Sequence, residues 1–215
     1  MTEPQPSLSS HIPPTRSAGR VQPRGDRTRA TVIEETIRCV LEEGYAASSA
    51  KHIAERAGVT WGVIQYHFGD RDGLLGAVVT SGYAVFQESI ETARIPAGAS
   101  RVRIAAIIDA AWVAFSQPIS RASLEIMIAT RTTREPARDT ELQAMAKTMH
   151  RLGERILGDQ AGQKGLSRSV GEVVWATLRG LVIAEMVTGE SFDFVRERAT
   201  LVELVCAYLD QAGHP

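Results

Sequence analysis

The chain has 215 residues, 44% hydrophobic and 23% charged, enough for one ordinary domain or for one small and one medium domain. Its formal net charge of −1 excludes a uniformly basic surface, so any contact with nucleic acid must rest on local charge. No apolar core of a secretory signal and no run of about 18 apolar residues occurs, so no membrane partner is expected and the cytoplasm is the expected location.

Residues 1–25 carry Pro4, Pro6, Pro13, Pro14 and Pro23 and too little apolar surface to offset ordering, which predicts a disordered arm. Arg16, Arg20, Arg24, Arg27 and Arg29 face only Glu3 and Asp26 within residues 1–30, whereas residues 31–75 hold four basic against seven acidic groups. The basic excess therefore sits ahead of the first helix, either as a solvated tail or as an arm adding phosphate or minor-groove contacts. From Asp26 to Glu43, Ala30, Ile33, Ile37, Val40 and Leu41 recur at steps of three and four and predict an amphipathic helix. Glu34 and Arg38 are spaced for an i,i+4 pair, and Gly44 is placed to stop the helix.

The next stretch, SSAKHIAERAGVTWGVIQYHFGDRDGLL at 48–75, reads as two short helices with a third launched after them. Ser48 is the expected N-cap of the first, which runs to Ala57, and is also a candidate DNA contact. Gly58 supplies the left-handed residue that ends it, and Thr60 is the expected side-chain cap of the second, Trp61–His67. A turn of three or four residues with Gly between two short helices is the helix-turn-helix pattern, whose second helix enters the major groove. Lys51 stands where a capping box wants Glu or Gln, against the helix dipole, which suggests that it faces phosphate. Ile64 and Phe68 point to the core. The remaining face is apolar or neutral, which is odd for a solvated surface helix and apt for base edges. Gln65 can pair with adenine, Val63 or Trp61 can pack on a thymine methyl, and Gly62 permits close approach. Thr60, Tyr66 and His67 can donate to phosphate oxygens. Asp70 is the expected N-cap of a long helix extending to about Arg94, with a hinge at Ile95–Gly98.

Over residues 27–80 this pattern resembles the N-terminal domain of the TetR family of transcriptional regulators. The resemblance is carried by GY at 44–45, IAERAGVT at 53–60, YHF at 66–68 and R-D-x-L-L at 71–75. It implies that Thr60, Tyr66 and His67 contact the DNA backbone. Arg71 stands where the family usually has a lysine on phosphate, and Trp61, Val63 and Gln65 occupy the variable base-facing positions. Gln65 replaces the first of a frequent Tyr pair and Trp61 a commoner Lys, so the operator sequence does not carry over.

The rest of the chain reads as helical: Arg101–Phe115, Arg121–Arg131, Thr140–Leu157, Ser167–Thr188 and Phe192–Gln211. The fourth of these is apolar almost all round, with small residues Ala176, Gly180 and Ala184 at i,i+4 spacing. Together with Trp175 and with Leu201, Val205 and Tyr208 of the last helix, it suggests a subunit interface. The resemblance agrees, since the last two helices in that family usually form a four-helix dimer bundle. The resemblance also implies a small effector in the second domain, for which Phe86, Trp112, Phe115, Met127, Met145 and Met149 offer an apolar pocket.

The expected protein is all-α: a disordered arm over 1–25, a helix-turn-helix DNA-binding domain over 26–75, and a helical-bundle domain over 76–215 that binds the effector and dimerises. The expected function is a homodimeric regulator, most plainly a repressor, on a palindromic double-stranded DNA operator, released by a largely apolar small molecule. A helical-bundle enzyme and an interaction module without DNA are the alternatives. The enzyme lacks a phosphate-binding loop and a G-x-S-x-G nucleophile. Cys39 and Cys206 form no CxxC, and no metal-ligand spacing was found, so neither metal nor cofactor is expected.

Overall fold

The computed structural model describes residues 23–96, 100–133, 140–157 and 166–212, and every long element among them is an α-helix. These are α1 (Pro23–Glu43), α2 (Ala50–Arg56), α3 (Trp61–Phe68), α4 (Arg71–Thr92), α5 (Ser100–Ser116), α6 (Pro118–Ala129), α7 (Thr140–Leu157), α8 (Leu166–Thr188) and α9 (Val195–Ala212). A 3-10 turn, Tyr45–Ala47, joins α1 to α2. The expected arm lies outside the described residues except at its end, where Pro23 opens α1. No single described helix is long and apolar enough to cross a membrane.

The chain divides into two compact units, Met1–Val85 with Pro118–Glu135, and Phe86–Gln117 with Pro136–Pro215. The domain limit expected at residue 75 does not coincide with this division, and the hinge expected at 95–98 lies partly outside the described residues. The core of the first unit gathers Ile33, Ile37 and Val40 of α1, Ile53 and Ala54 of α2, Ile64 of α3, Leu74 and Val78 of α4, and Ile119 and Ile126 of α6. α1 is buried more broadly than one stripe: Val32 and Cys39 are fully buried as well, whereas Leu41, expected inside, is 38% exposed. Arg38 pairs with Glu35 rather than with Glu34.

α6 joins this unit by close approach to α4. Ser123 of α6 donates its hydroxyl hydrogen bond to a backbone carbonyl, that of Ile119 at 2.7 Å or of Val78 on α4 at 3.2 Å. Gly82 makes the approach possible, because a Cβ there would stand 2.3 Å from Ser123 Oγ and 3.1 Å from the Ile119 carbonyl oxygen. Met127, expected in the effector pocket, packs against this core.

In the second unit Phe86, Phe115 and Trp175 form a packed aromatic triad with ring centroids 4.6–4.9 Å apart. Trp175 is 3% exposed, which removes it from the expected subunit interface: its indole is committed to the chain's own core. Trp112 lies elsewhere, against Phe194 and beneath the Arg198 guanidinium. The side chains of Met145 and Met149 lie outside the described residues. Of the expected pocket set, the described residues bring Phe86 and Phe115 together. Ala176, Gly180 and Ala184 do lie on an exposed face of α8. Val173, Leu204 and Tyr208 continue it as exposed apolar side chains, around a groove of about 680 Å³ floored by Leu201 and Val205.

Gly82→Ala is expected to destabilise the protein by about 1–3 kcal/mol through overpacking. Gly76→Ala on the same helix, where an added Cβ meets nothing within 4 Å, should be neutral or stabilising by up to about 1 kcal/mol. Urea unfolding of the two variants checks the contrast.

Candidate nucleic-acid interface

The local chemistry of residues 44–73 fixes two short helices that could not persist alone. Gly44, at φ 86°, ends α1, its N–H donating to the Val40 carbonyl at 3.0 Å. The N-cap of α2 is Ser49, whose side chain accepts from His52 N at 3.2 Å. Ser48, expected there, is fully buried, and its hydroxyl donates to the Tyr45 carbonyl at 2.6 Å. The 3-10 turn Tyr45–Ala47 advances the chain only about 2.0 Å per residue, less than the roughly 3.3 Å of extended backbone, so α2 starts one residue later than expected. At the other end of α2, Gly58 takes φ +65°. Its N–H donates to Glu55 O, and Val59 N–H donates to Ala54 O at 3.0 Å, the paired bonds of a Schellman stop.

Thr60 occupies the N-cap position of α3 with extended backbone but makes no side-chain cap bond. This corrects the expected cap and leaves its exposed hydroxyl available. Gly69, at φ 86°, closes α3, and Asp70 caps α4 by accepting from Gly73 N at 2.8 Å.

α3 is anchored by Ile64, fully buried, and by Phe68, which packs on the core beneath the Arg29 guanidinium. Its other residues surface as expected. Tyr66 is 77% exposed and Trp61 44%. Gly62 and Gln65 are exposed, and Val63 and His67 are half-buried. Tyr66 stands edge-on to His67 with centroids 5.0 Å apart. Burial, reinforced by the Arg29 charge and opposed by Asp26, holds the His67 pKa below its ordinary value. A neutral imidazole then offers one N–H donor and no net charge. Lys51 is largely exposed, its Nζ 3.9 Å from Glu55.

Arg71 departs from expectation. Its Nε donates to the Ser48 carbonyl at 2.8 Å, one Nη to the Tyr45 hydroxyl at 3.1 Å, and the other Nη to the Tyr45 carbonyl at 3.0 Å and Ser48 Oγ at 3.1 Å. The guanidinium also stacks on the Tyr45 ring at 4.5 Å. Every nitrogen is engaged within the fold, so Arg71 is a clamp on the turn between α1 and α2 rather than a free cation for phosphate. Glu125 of α6 completes the arrangement by accepting from Tyr45 N at 2.7 Å. The sequence carries one signal for this clamp, the aromatic Tyr45 just past the helix-stopping Gly44.

Comparison with known proteins agrees with this geometry. Residues 32–78 match the family model for bacterial regulatory proteins of the tetR family. The transcriptional regulator BetI of Burkholderia thailandensis is 35% identical over 85 residues, covering 38% of this chain and 43% of that protein. BetI of Burkholderia mallei is 27% identical over 194 residues, covering 87% and 94%. A TetR-family regulator structure from a Rhodococcus species superposes with a TM-score of 0.66 at 18% identity, covering 83% of this chain and 98% of that one. These relatives are transcriptional regulators, not enzymes.

Arg71→Lys keeps the charge but cannot fork across two carbonyls and a ring. It is expected to lower unfolding free energy by about 2–3 kcal/mol, measured by urea denaturation. Unchanged stability with weakened DNA binding would return Arg71 to the phosphate role.

Proposed function

Because the chain belongs to the TetR family of DNA-binding transcriptional regulators, we propose that it acts in the cytoplasm as a homodimeric repressor on a near-palindromic operator. The observation that carries this reading is the face of α3: Trp61, Gln65 and Tyr66 stand exposed on a helix without a single charged side chain. Gln65 reads adenine, and Trp61 and Val63 pack on thymine methyls. Gly62 lets the backbone approach, while Lys51, Thr60, Tyr66 and His67 hold phosphates. Ser48 and Arg71 serve this surface from behind.

The exposed apolar face of α8 and α9 supports the dimer. Val173, Leu204 and Tyr208 rim it, and Ala176, Gly180 and Ala184 allow a second pair of helices close. Two recognition helices related by a two-fold axis would read half-sites about 34 Å apart or a multiple of it.

Release by a small, largely apolar effector follows the family resemblance. In the second unit Trp175 Nε1 is buried without a hydrogen-bond partner, a donor that a ligand packed on Phe86 and Phe115 would satisfy. The effector shifts the equilibrium only as far as it prefers the conformation that does not bind DNA.

In a mobility-shift assay on DNA upstream of the protein's own gene, Gln65→Ala with Tyr66→Ala is expected to lose specific binding at least about tenfold. Full-affinity binding by this variant would overturn the assignment of α3. Leu204→Glu should sediment as a monomer and bind operator weakly. An unchanged dimer in analytical ultracentrifugation would move the interface elsewhere.

A further inference from the structure

Where α1 meets α2, three side chains with metal-ligating chemistry converge. Cys39 and Glu43 are one helical turn apart on α1 and share a face, and His52 comes in from α2. One donor atom from each, the thiol sulfur, a carboxylate oxygen and a ring nitrogen, lies within 4.8 Å of the other two. We propose that Cys39, Glu43 and His52 form a binding site for one divalent transition-metal ion of the zinc type, joining α1 to the first helix of the helix-turn-helix.

The donor set selects the class of ion. Thiolate, imidazole and carboxylate are the three ligands zinc takes, whereas magnesium and calcium demand oxygen alone. A tetrahedral zinc site holds its donors roughly 3.3–3.6 Å apart, so the His52 and Glu43 donors, now 2.8 Å apart, must open slightly while any wider spacing, at most 4.8 Å, closes. The groups that must move are free to do so: the His52 and Glu43 side chains are 37% and 35% exposed. Cys39 is fully buried and supplies the fixed point.

His52 Nε2 and Glu43 Oε2 share a hydrogen bond of 2.8 Å, and the ion would enter between them. Arg56 holds the other oxygen, Oε1 of Glu43, as partners that orient a ligating carboxylate do. Three carboxylates surround the place, Glu35, Glu42 and Glu43, against the guanidiniums of Arg56 and Arg38, so the corner can accept a cation. Binding forms a metal–sulfur bond and releases the thiol proton to solvent. Three protein ligands leave a fourth position for water.

The test uses the full chain without an affinity tag, titrated with Co(II), which reports thiolate ligation by a sulfur-to-metal charge-transfer band in the near ultraviolet. The band should saturate at one ion per chain and be abolished by Zn(II). It should persist in Cys206→Ser, disappear in Cys39→Ser and need at least about tenfold more metal in His52→Gln. Because Cys39 is buried, helicity is checked by circular dichroism, and the surface variants His52→Gln and Glu43→Gln decide the matter should Cys39→Ser unfold. No band in the native protein, a band that follows Cys206, or affinity unmoved by His52→Gln and Glu43→Gln would each overturn the site.

Discussion

The turn between α1 and α2 is held by charge brought from elsewhere in the chain. The Tyr45 carbonyl accepts from the Ser48 hydroxyl and N–H, but the Ser48 carbonyl needs a donor other than a continuing helix, and an unpaired buried carbonyl costs about 1–3 kcal/mol. Arg71 supplies both carbonyls and stacks on Tyr45, while Glu125 takes the Tyr45 N–H. A cation in the first turn of α4 is disfavoured by the helix dipole, and these contacts offset that cost. The consequence is geometric: α2 and α3, too short to be stable alone, take their orientation from α4 and α6 through one guanidinium and one carboxylate.

What the sequence disclosed follows from which signals are local. The order of the nine helices among the described residues, the stops at Gly44 and Gly58, the Asp70 cap and the inward Ile64 all depend on neighbours within a turn or two. The exposed face of α3 was legible because its lack of charge has no explanation on an ordinary surface. Ser48 and Arg71 were misplaced for one reason. A hydroxyl or guanidinium at a helix start can face solvent, phosphate or a protein carbonyl, and the choice is made by Tyr45, 26 residues before Arg71. Trp175 was misplaced because α8 is apolar on nearly every side, so its pattern does not tell chain core from subunit interface. Phe86 and Phe115, on other helices, decide it. α6 sits with the first unit because Gly82 faces Ser123, a pairing that no periodicity announces.

The same distinction explains why residues 31–75, which carry more acid than base, are no obstacle to a role on DNA. Arg56 lies against Glu35, Glu42 and Glu43 at once, and Glu43 also holds His52, so much of the negative charge is spent inside the α1–α2 corner. Glu43 is held below the usual carboxylate range by its hydrogen bonds from His52 and Arg56 and stays ionised to do this. The net charge of a segment thus says little about the field at α3, where side chains are neutral and Arg29 is drawn inward over Phe68.

With so few cations, the α3 face proposed to read DNA would gain little from counterion release, the sequence-independent part of DNA affinity. Such a surface binds weakly as a single copy, and joining two copies makes the second contact effectively intramolecular. For the dimer proposed on the α8–α9 face, operator affinity would depend on dimerisation more steeply than it would for a basic domain. The same scarcity of cations would give the α1–α2 corner leverage: a divalent ion there, entering as a thiol proton leaves, adds one positive charge per subunit. In a duplex-bound dimer that increment counts twice. Set against the sparse charge of α3, it would raise both affinity and its salt dependence without touching a base-reading side chain.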